Sequence, residues 1–408
     1  MVKQLVMKKI AIIGTVGLPA NYGGFETLTS HLVEHLGSKY DFTVYCSSKK
    51  YKKDERIKTY KGARLKYLPL NANGIQSILY DSISILHALF YADVLIILGV
   101  AGAWLLPLVR LFTNKRIIIS IDGIEWKRDK WNSIAKIYLW WAEKMAVKYS
   151  HIDISDNESI QDYTALRYGS LSRIIEYGGD HVERVESTNK HHESYPFLKY
   201  LYAVKVCRIE PENNVHLVLE AFTKIKNRHL VIIGNWENST YGKQLKAMYS
   251  SFQNIYLLDP IYDQTTLDLI RGNAILYIHG HSAGGTNPSL VEAMNLQLPI
   301  LSYCVSYNKT TTEQKANYFT TREEITEFVI STSMEKLRDN AVEMKNIAER
   351  RYKWNIIANK YEDLILEAIS IEAKQSILSK LSGDLQIDRL QHYGIAHLKH
   401  QYVFYEKR

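Results

Sequence analysis

One stretch of this chain leaves little freedom in how it can fold: Tyr-Ile-His-Gly-His-Ser-Ala-Gly-Gly-Thr-Asn-Pro-Ser-Leu-Val-Glu-Ala-Met, from Tyr277 to Met294. The apolar run 274–278 just before it reads as a buried strand. A loop carrying Gly280, Gly284 and Gly285 follows. Asn287 can then cap a helix that has Pro288 at its first position. A strand, a glycine-rich turn and a helix start together form an anion site, because free backbone N–H groups and the positive end of the helix dipole face one point. Glu292 lies just inside that helix. Ser289 and Glu292 fit a capping box; the alternative is a carboxylate accepting hydrogen bonds from the sugar hydroxyls of a nucleotide.

The run Gly284-Gly-Thr-Asn-Pro-Ser-Leu-Val-Glu-Ala-Met294 resembles the donor-site segment of the large retaining class of GT-B glycosyltransferases, the family-4 type. That class carries two glutamates here. The second matches Glu292, while the first falls at Gly284, so the nucleotide contact carries over and the donor-sugar contact is where this chain departs from the class. With its His279-Gly-His281 lead-in, the segment is more similar to a subgroup that includes bacterial rhamnosyltransferases. The pattern from Gly14 to Glu26, with Gly17, Pro19 and Tyr22-Gly23-Gly24-Phe25 inside it, resembles the N-terminus of the same subgroup. The resemblance covers residues 8–369. It implies an α/β fold of two Rossmann-like domains facing a cleft, with a C-terminal helix crossing back to the first domain.

The chain order agrees with that expectation. Strand-like runs at 8–14, 42–46, 65–68, 94–98, 117–121 and 152–155 alternate with helical patterns, as in a parallel doubly wound sheet. Phe25, Leu28, Leu32 and Leu36 share one face of a helix. The apolar run 94–109 is broken by Gly99, Gly102 and Pro107 and reads as strand, turn and helix start, with a membrane-dipping segment as the alternative. The polar stretch 183–195 reads as a linker. A second half follows, with strands at 200–206, 229–234, 255–258, 274–278 and 299–303. The expected organisation is residues 1–190 as an acceptor domain, 191–352 as a donor domain, 353–370 as the crossover helix and 371–408 as a polar tail.

Beside the strands lie the candidate site residues. Arg208 matches the family's first diphosphate-binding cation; the position of the second holds Asn213. A salt bridge from Arg208 to Glu210 or Glu212 is the alternative. The resemblance further implies donor contacts from Gly23, Gly24, His279, Gly284, Gly285, Thr286, Asn287 and Ser289. Asp122 stands at the carboxyl end of a strand, the edge where open α/β sheets bind ligands. It is either a turn aspartate before Gly123 or, with Glu292, part of the catalytic pair. Glu26, Lys127 and Arg128 are the expected acceptor contacts. Residues 302–312 are placed to cover the nucleotide base.

Composition narrows the partners. Net charge is +8 and the pI about 9.0, which favours nucleic acid, an anionic membrane surface or phosphorylated substrates. No aromatic–basic recognition motif supports nucleic acid. Lys49, Lys50, Lys52, Lys53, Arg56, Lys58 and Lys61 crowd one region, either a solvated face or a site for anionic lipid. The three cysteines, Cys46, Cys207 and Cys304, lack metal spacing, and Cys46 and Cys207 read as buried thiols. No D-x-D occurs, so neither metal nor cofactor is expected. The expected activity is transfer of a sugar from a nucleoside-diphosphate sugar, with dTDP-rhamnose suggested by the subgroup, to a lipid-linked oligosaccharide at the cytoplasmic face of a membrane. A sugar-nucleotide epimerase and a non-enzymatic nucleotide-binding protein are the alternatives.

Overall fold

The computed structural model describes residues 7–20, 23–121, 123–128 and 131–371. The described residues form two compact units, residues 7–176 with 357–371, and residues 177–356. The expected tail and the candidate Asp122 lie outside the described residues.

Unit 1 holds strands β1 (Lys9–Ile13), β2 (Asp41–Ser47), β3 (Thr59–Tyr60), β4 (Ala63–Leu68), β5 (Val94–Leu98), β6 (Arg116–Ile121), β7 (Ile152–Ser155) and β8 (Arg173–Ile174). They form one sheet in the order β3-β4-β2-β1-β5-β6-β7-β8, parallel except for β3 against β4. Helices α1 (Gly24–Leu36), α2 (Gln76–Ala88), α3 (Leu106–Phe112), α4 (Ser133–Tyr149) and α5 (Glu158–Tyr168) connect them. All five residues of β5 are buried. A central parallel strand is covered on both faces and must be apolar throughout, so the run 94–109 is strand, turn and helix, with its first third in the core. No helix of the described residues is long and apolar enough to cross a membrane.

Unit 2 repeats the plan. Helix α6 (Asn189–Ser194) precedes β9 (Tyr202–Val206), α7 (Val215–Lys224), β10 (His229–Ile233), α8 (Thr240–Tyr249), β11 (Ile255–Leu258), α9 (Gln264–Gly272), β12 (Leu276–His279), α10 (Pro288–Asn295), β13 (Ile300–Tyr303), α11 (Ser306–Thr311), β14 (Asn317–Phe319), α12 (Arg322–Ser331) and α13 (Met334–Arg351). The parallel sheet runs β11-β10-β9-β12-β13-β14. Its core is filled from Val218, Phe222, Ile232, Trp236 and Ile278.

The division at Glu176 and Tyr177 precedes the expected boundary at 190/191. Residues 178–181 are tied into unit 2: Gly179 N–H donates to the Tyr352 carbonyl at 2.8 Å and Trp354 N–H to Asp180 Oδ1 at 2.7 Å. Part of the expected linker is helix α6. Helix α14 (Trp354–Ser370) begins in unit 2, and from Ile357 it belongs to unit 1. There Lys360 pairs with buried Glu176 at 2.5 Å, Glu362 with Lys39 at 2.6 Å and Glu367 with Arg173 at 2.8 Å.

Candidate functional site

In unit 2 the chain runs from β9 outward to β10 and β11, then returns to β12 on the other side of β9. Ligands of open parallel sheets bind at this reversal, outside the carboxyl ends of the strands. The loops after β9 and β12 meet there. Asn214 Nδ2 donates to the Gly280 carbonyl at 2.9 Å, and Ser282 N–H to the Glu212 carbonyl at 2.8 Å. Asn213 is buried, its Nδ2 donating to the Arg208 carbonyl at 2.6 Å, so it shapes the loop from inside.

Beneath these loops lies a lysine that the sequence reading passed over. Lys205 on β9 is buried, and Nζ has no hydrogen-bond partner. A Cβ at Gly280 would stand 2.7 Å from that Nζ and 2.3 Å from the Asn213 carbonyl oxygen. Position 280 therefore has no room for a side chain. Burial pushes the Lys205 ammonium below its usual range. His279, at the end of β12, is buried too; neither ring nitrogen has a partner. Its ring stacks on His281 at 4.3 Å. Burial, then the nearby Lys205, hold His279 well below the ordinary histidine range, so it is neutral. Buried polar groups without partners are uncommon in folded proteins.

Helix α10 starts as the sequence predicts. Asn287 Oδ1 accepts from Ser289 N–H at 3.0 Å and from Ser289 Oγ at 2.7 Å, and Tyr277 donates to Ser289 Oγ at 2.9 Å. Thr286 is buried and Gly285 lies in the turn before it. Gly284 has φ +130, with nothing within 4 Å of an added Cβ. A glutamate would have space there, but an L side chain rarely adopts that backbone, so the absence of the family's first glutamate matches the conformation of the loop.

Glu292 is not a capping residue; the cap is Asn287 and Ser289 is already helical. Its carboxylate is held by two side chains from elsewhere in unit 2. Buried Arg271, at the end of α9, binds Glu292 Oε2, while its other arm pairs with Asp268 at 2.8 Å. His181 Nε2 lies 3.4 Å from Glu292 Oε1, and His181 Nδ1 accepts from Trp354 Nε1 at 3.0 Å. Burial alone would raise the Glu292 carboxyl; Arg271 and His181 outweigh it and bring it to about 2. No local sequence pattern signals this network. Asp268, Arg271 and His181 come together with Glu292 only in the folded unit.

The remaining candidates behave differently. Arg208 is half-exposed, 4.0 Å from Glu210, a loose pairing that leaves the guanidinium accessible. In unit 1, Gly23 occupies the cap position of α1 with φ +130, and Gly24 opens the helix. Glu26 is buried, and its Oε1 accepts from Val16 N–H at 2.5 Å. The expected acceptor contact is thus turned onto the backbone of its own loop. Arg128 pairs with Glu125 at 3.1 Å, and Lys127 lies over the Trp126 ring at 5.4 Å. Cys46 is buried as expected, but Cys207 is only partly so.

Residues 187–354 match the family model for glycosyl transferases group 1, and residues 7–180 match a domain of unknown function, DUF1972. No curated protein matches the chain in sequence. Among solved structures, sucrose-phosphate synthase from Thermosynechococcus elongatus superposes with a TM-score of 0.73 at 13% identity, over 88% of this chain and 98% of that one. Anabaena HepE in complex with UDP-glucose gives 0.69 at 12%, over 89% and 100%. The E. coli trehalose-6-phosphate structure bound with UDP-2-fluoro glucose gives 0.62 at 12%, over 89% and 99%. The fold is GT-B, and the second unit is the part of the chain that matches the group 1 glycosyltransferase model.

Proposed function

We propose that the chain transfers a sugar from a nucleoside-diphosphate sugar to a lipid-linked oligosaccharide acceptor, with retention of configuration and without a metal ion. The observation that carries this reading is the meeting, at the sheet reversal of unit 2, of the α10 start, accessible Arg208, unpartnered buried Lys205 and ionised Glu292. In this reading the α10 N–H groups and Arg208 hold the diphosphate. Negative charge grows on that leaving group as the glycosidic bond breaks, so cations and dipoles fixed beforehand lower the barrier. Lys205 adds positive potential from below. Glu292 accepts hydrogen bonds from the ribose hydroxyls, its orientation set by Arg271 and His181. The backbone of Gly284, Gly285 and Thr286 borders the phosphates. UDP-glucose in the HepE complex supports a nucleotide-sugar donor; rhamnose, as dTDP-rhamnose, follows from the sequence resemblance. Asp122, Lys127 and Arg128 are assigned to the acceptor side on the same ground. The acceptor would belong to a surface polysaccharide assembled at the cytoplasmic face of a membrane.

The test is calorimetry with a panel of nucleoside-diphosphate sugars, native and Arg208→Ala. Binding of one donor, weakened tenfold or more in the variant, is the expected result. Turnover in excess EDTA tests metal independence. Binding of no member of the panel, or equal affinity in the variant, removes the reading.

A further inference from the structure

Three helices of unit 1 are apolar on their outward side. Helices α2, α3 and α4 all pack into one core cluster on the same side of the sheet, through residues such as Ile85, Val109 and Ala142. Their opposite faces ought to be polar, as on an ordinary surface helix. Instead, the exposed positions along α2 and its flanks are Ile75, Leu79, Ile83, Leu86 and Phe90, at spacings of four, four, three and four, with Phe90 90% exposed. On α3 the same role falls to Leu108, Leu111 and Phe112. On α4 the stripe begins Ile134, Ile137, Trp141 and continues as Lys144 and Lys148, both exposed. The elements adjoin: Trp104, just before α3, donates to Ser82 Oγ on α2 at 2.9 Å, and the Tyr138 hydroxyl of α4 donates to the Ala101 carbonyl at 2.5 Å.

Charge selects the occupant. Across these three helices the only carboxylates are Asp81 and Glu143, and both are buried. Every exposed charge on them is positive. Tryptophans 104, 140 and 141, each near 40% exposed, lie within this layer, and Trp is the residue that favours the boundary between hydrocarbon and water. An apolar stripe bordered by lysine, free of acids and rich in aromatics is the pattern of a helix lying in a lipid interface. Extended apolar surface of this kind mostly marks an interaction site.

We infer that the outward face of α2, α3 and α4 docks unit 1 onto an anionic membrane surface. This rests on the lipid-linked reading above and locates its membrane contact on the helices themselves rather than on the lysine-rich stretch around Lys49–Lys53, which reaches the start of α2 where Lys49 donates to Gln76 at 3.3 Å. Leu111, Phe112, Ile134 and Ile137 enter the acyl boundary, while Lys144 and Lys148 meet lipid phosphates. The two contributions respond differently to salt, since ionic strength screens only the second.

The experiment is co-sedimentation of the full chain with vesicles of phosphatidylcholine containing phosphatidylglycerol, and with phosphatidylcholine alone, at low and high salt. Expected is binding to the anionic vesicles, weakened but not abolished by salt, with a blue shift of tryptophan emission. The quadruple variant Leu111→Ser, Phe112→Ser, Ile134→Ser, Ile137→Ser should bind at least tenfold less, and Lys144→Gln with Lys148→Gln should lose the salt dependence. Gln at Lys49, Lys50, Lys52 and Lys53 should change neither. Failure of the native chain to bind, or undiminished binding by the serine variant, overturns the proposal. So does a dimer in light scattering that the serine variant dissociates, because a second copy then covers the face. Donor binding without lipid is measured on the same variants: if it persists while vesicle binding fails, the docking surface alone is lost, whereas absent donor binding in the native chain strikes at the transferase reading.

Discussion

Glu26 is buried and Glu292 partly so; both sit near the start of a helix that follows a parallel strand, and both are preceded by paired glycines. Their surroundings nonetheless differ. Glu26 is satisfied from its own neighbourhood, by the Val16 N–H ten residues back. A Cβ at Gly23 would fall 1.9 Å from Glu26 Oε2, so that glycine is needed by the loop itself. Glu292 is satisfied from afar, by Arg271 and by His181, 111 residues away in sequence. A carboxylate bound to its own loop closes that loop. One held between an arginine and a histidine is oriented, keeps its charge, and has lone pairs left for a ligand hydroxyl. The comparison shows that a glutamate at a glycine-rich helix start does not by its position reveal which part it has.

Substitutions can break this contrast. The largest effect should come from Glu292→Ala, which leaves Arg271 buried with only Asp268; losing one partner of a buried pair costs about 3–5 kcal/mol, read from urea unfolding. Stability loss alone therefore does not separate the roles. Glu292→Gln keeps hydrogen-bonding capacity, and calorimetry should still find donor affinity down at least tenfold; unchanged affinity would make Glu292 a strut like Glu26.

The second effect is a pH dependence. The Glu292 carboxyl is near 2 when folded and about 4.3 in an unfolded chain. Its ionised form is favoured by folding, so the stabilisation is fully present above about pH 4.3 and disappears as pH falls toward 2, amounting to about 3 kcal/mol. The stability difference between the native chain and Glu292→Gln should shrink across that window.

Glu26→Ala should cost about 1–3 kcal/mol by stranding the Val16 N–H, with donor affinity unaltered. A matching loss of donor affinity would erase the contrast. Gly284→Ala tests the loop that precedes Glu292: with open space but φ +130, the expected cost is about 1 kcal/mol of strain, seen as a small drop in melting temperature. Asn287→Ala should be of similar or smaller size, about 1 kcal/mol for a helix cap.

Much of the architecture was legible because it follows from local pattern. Strand β5 begins and ends where its apolar run does, since a parallel strand covered on both faces has to be continuously apolar. The α10 start was legible because Asn287 and Pro288 act within one turn. The strands next to loops were less so: β8 is two residues long, because its pairing with β7, rather than its composition, sets its extent.

The sequence by itself determined the alternation of strand and helix, the parallel sheets, the glycine loop and the capped helix, all products of interactions a few residues long. Only the tertiary structure decided which glutamate is bound by distant side chains, that Lys205 ends under Gly280 with no partner, and that three apolar stripes from separate helices share one side of a sheet. Those outcomes depend on pairs far apart in sequence, such as Asp268 and Arg271 with Glu292 and His181. Charge and spacing constrain a helix or a loop, but burial, which turns a charge into an oriented ligand or an apolar stripe into an exposed surface, is settled only when the layers pack.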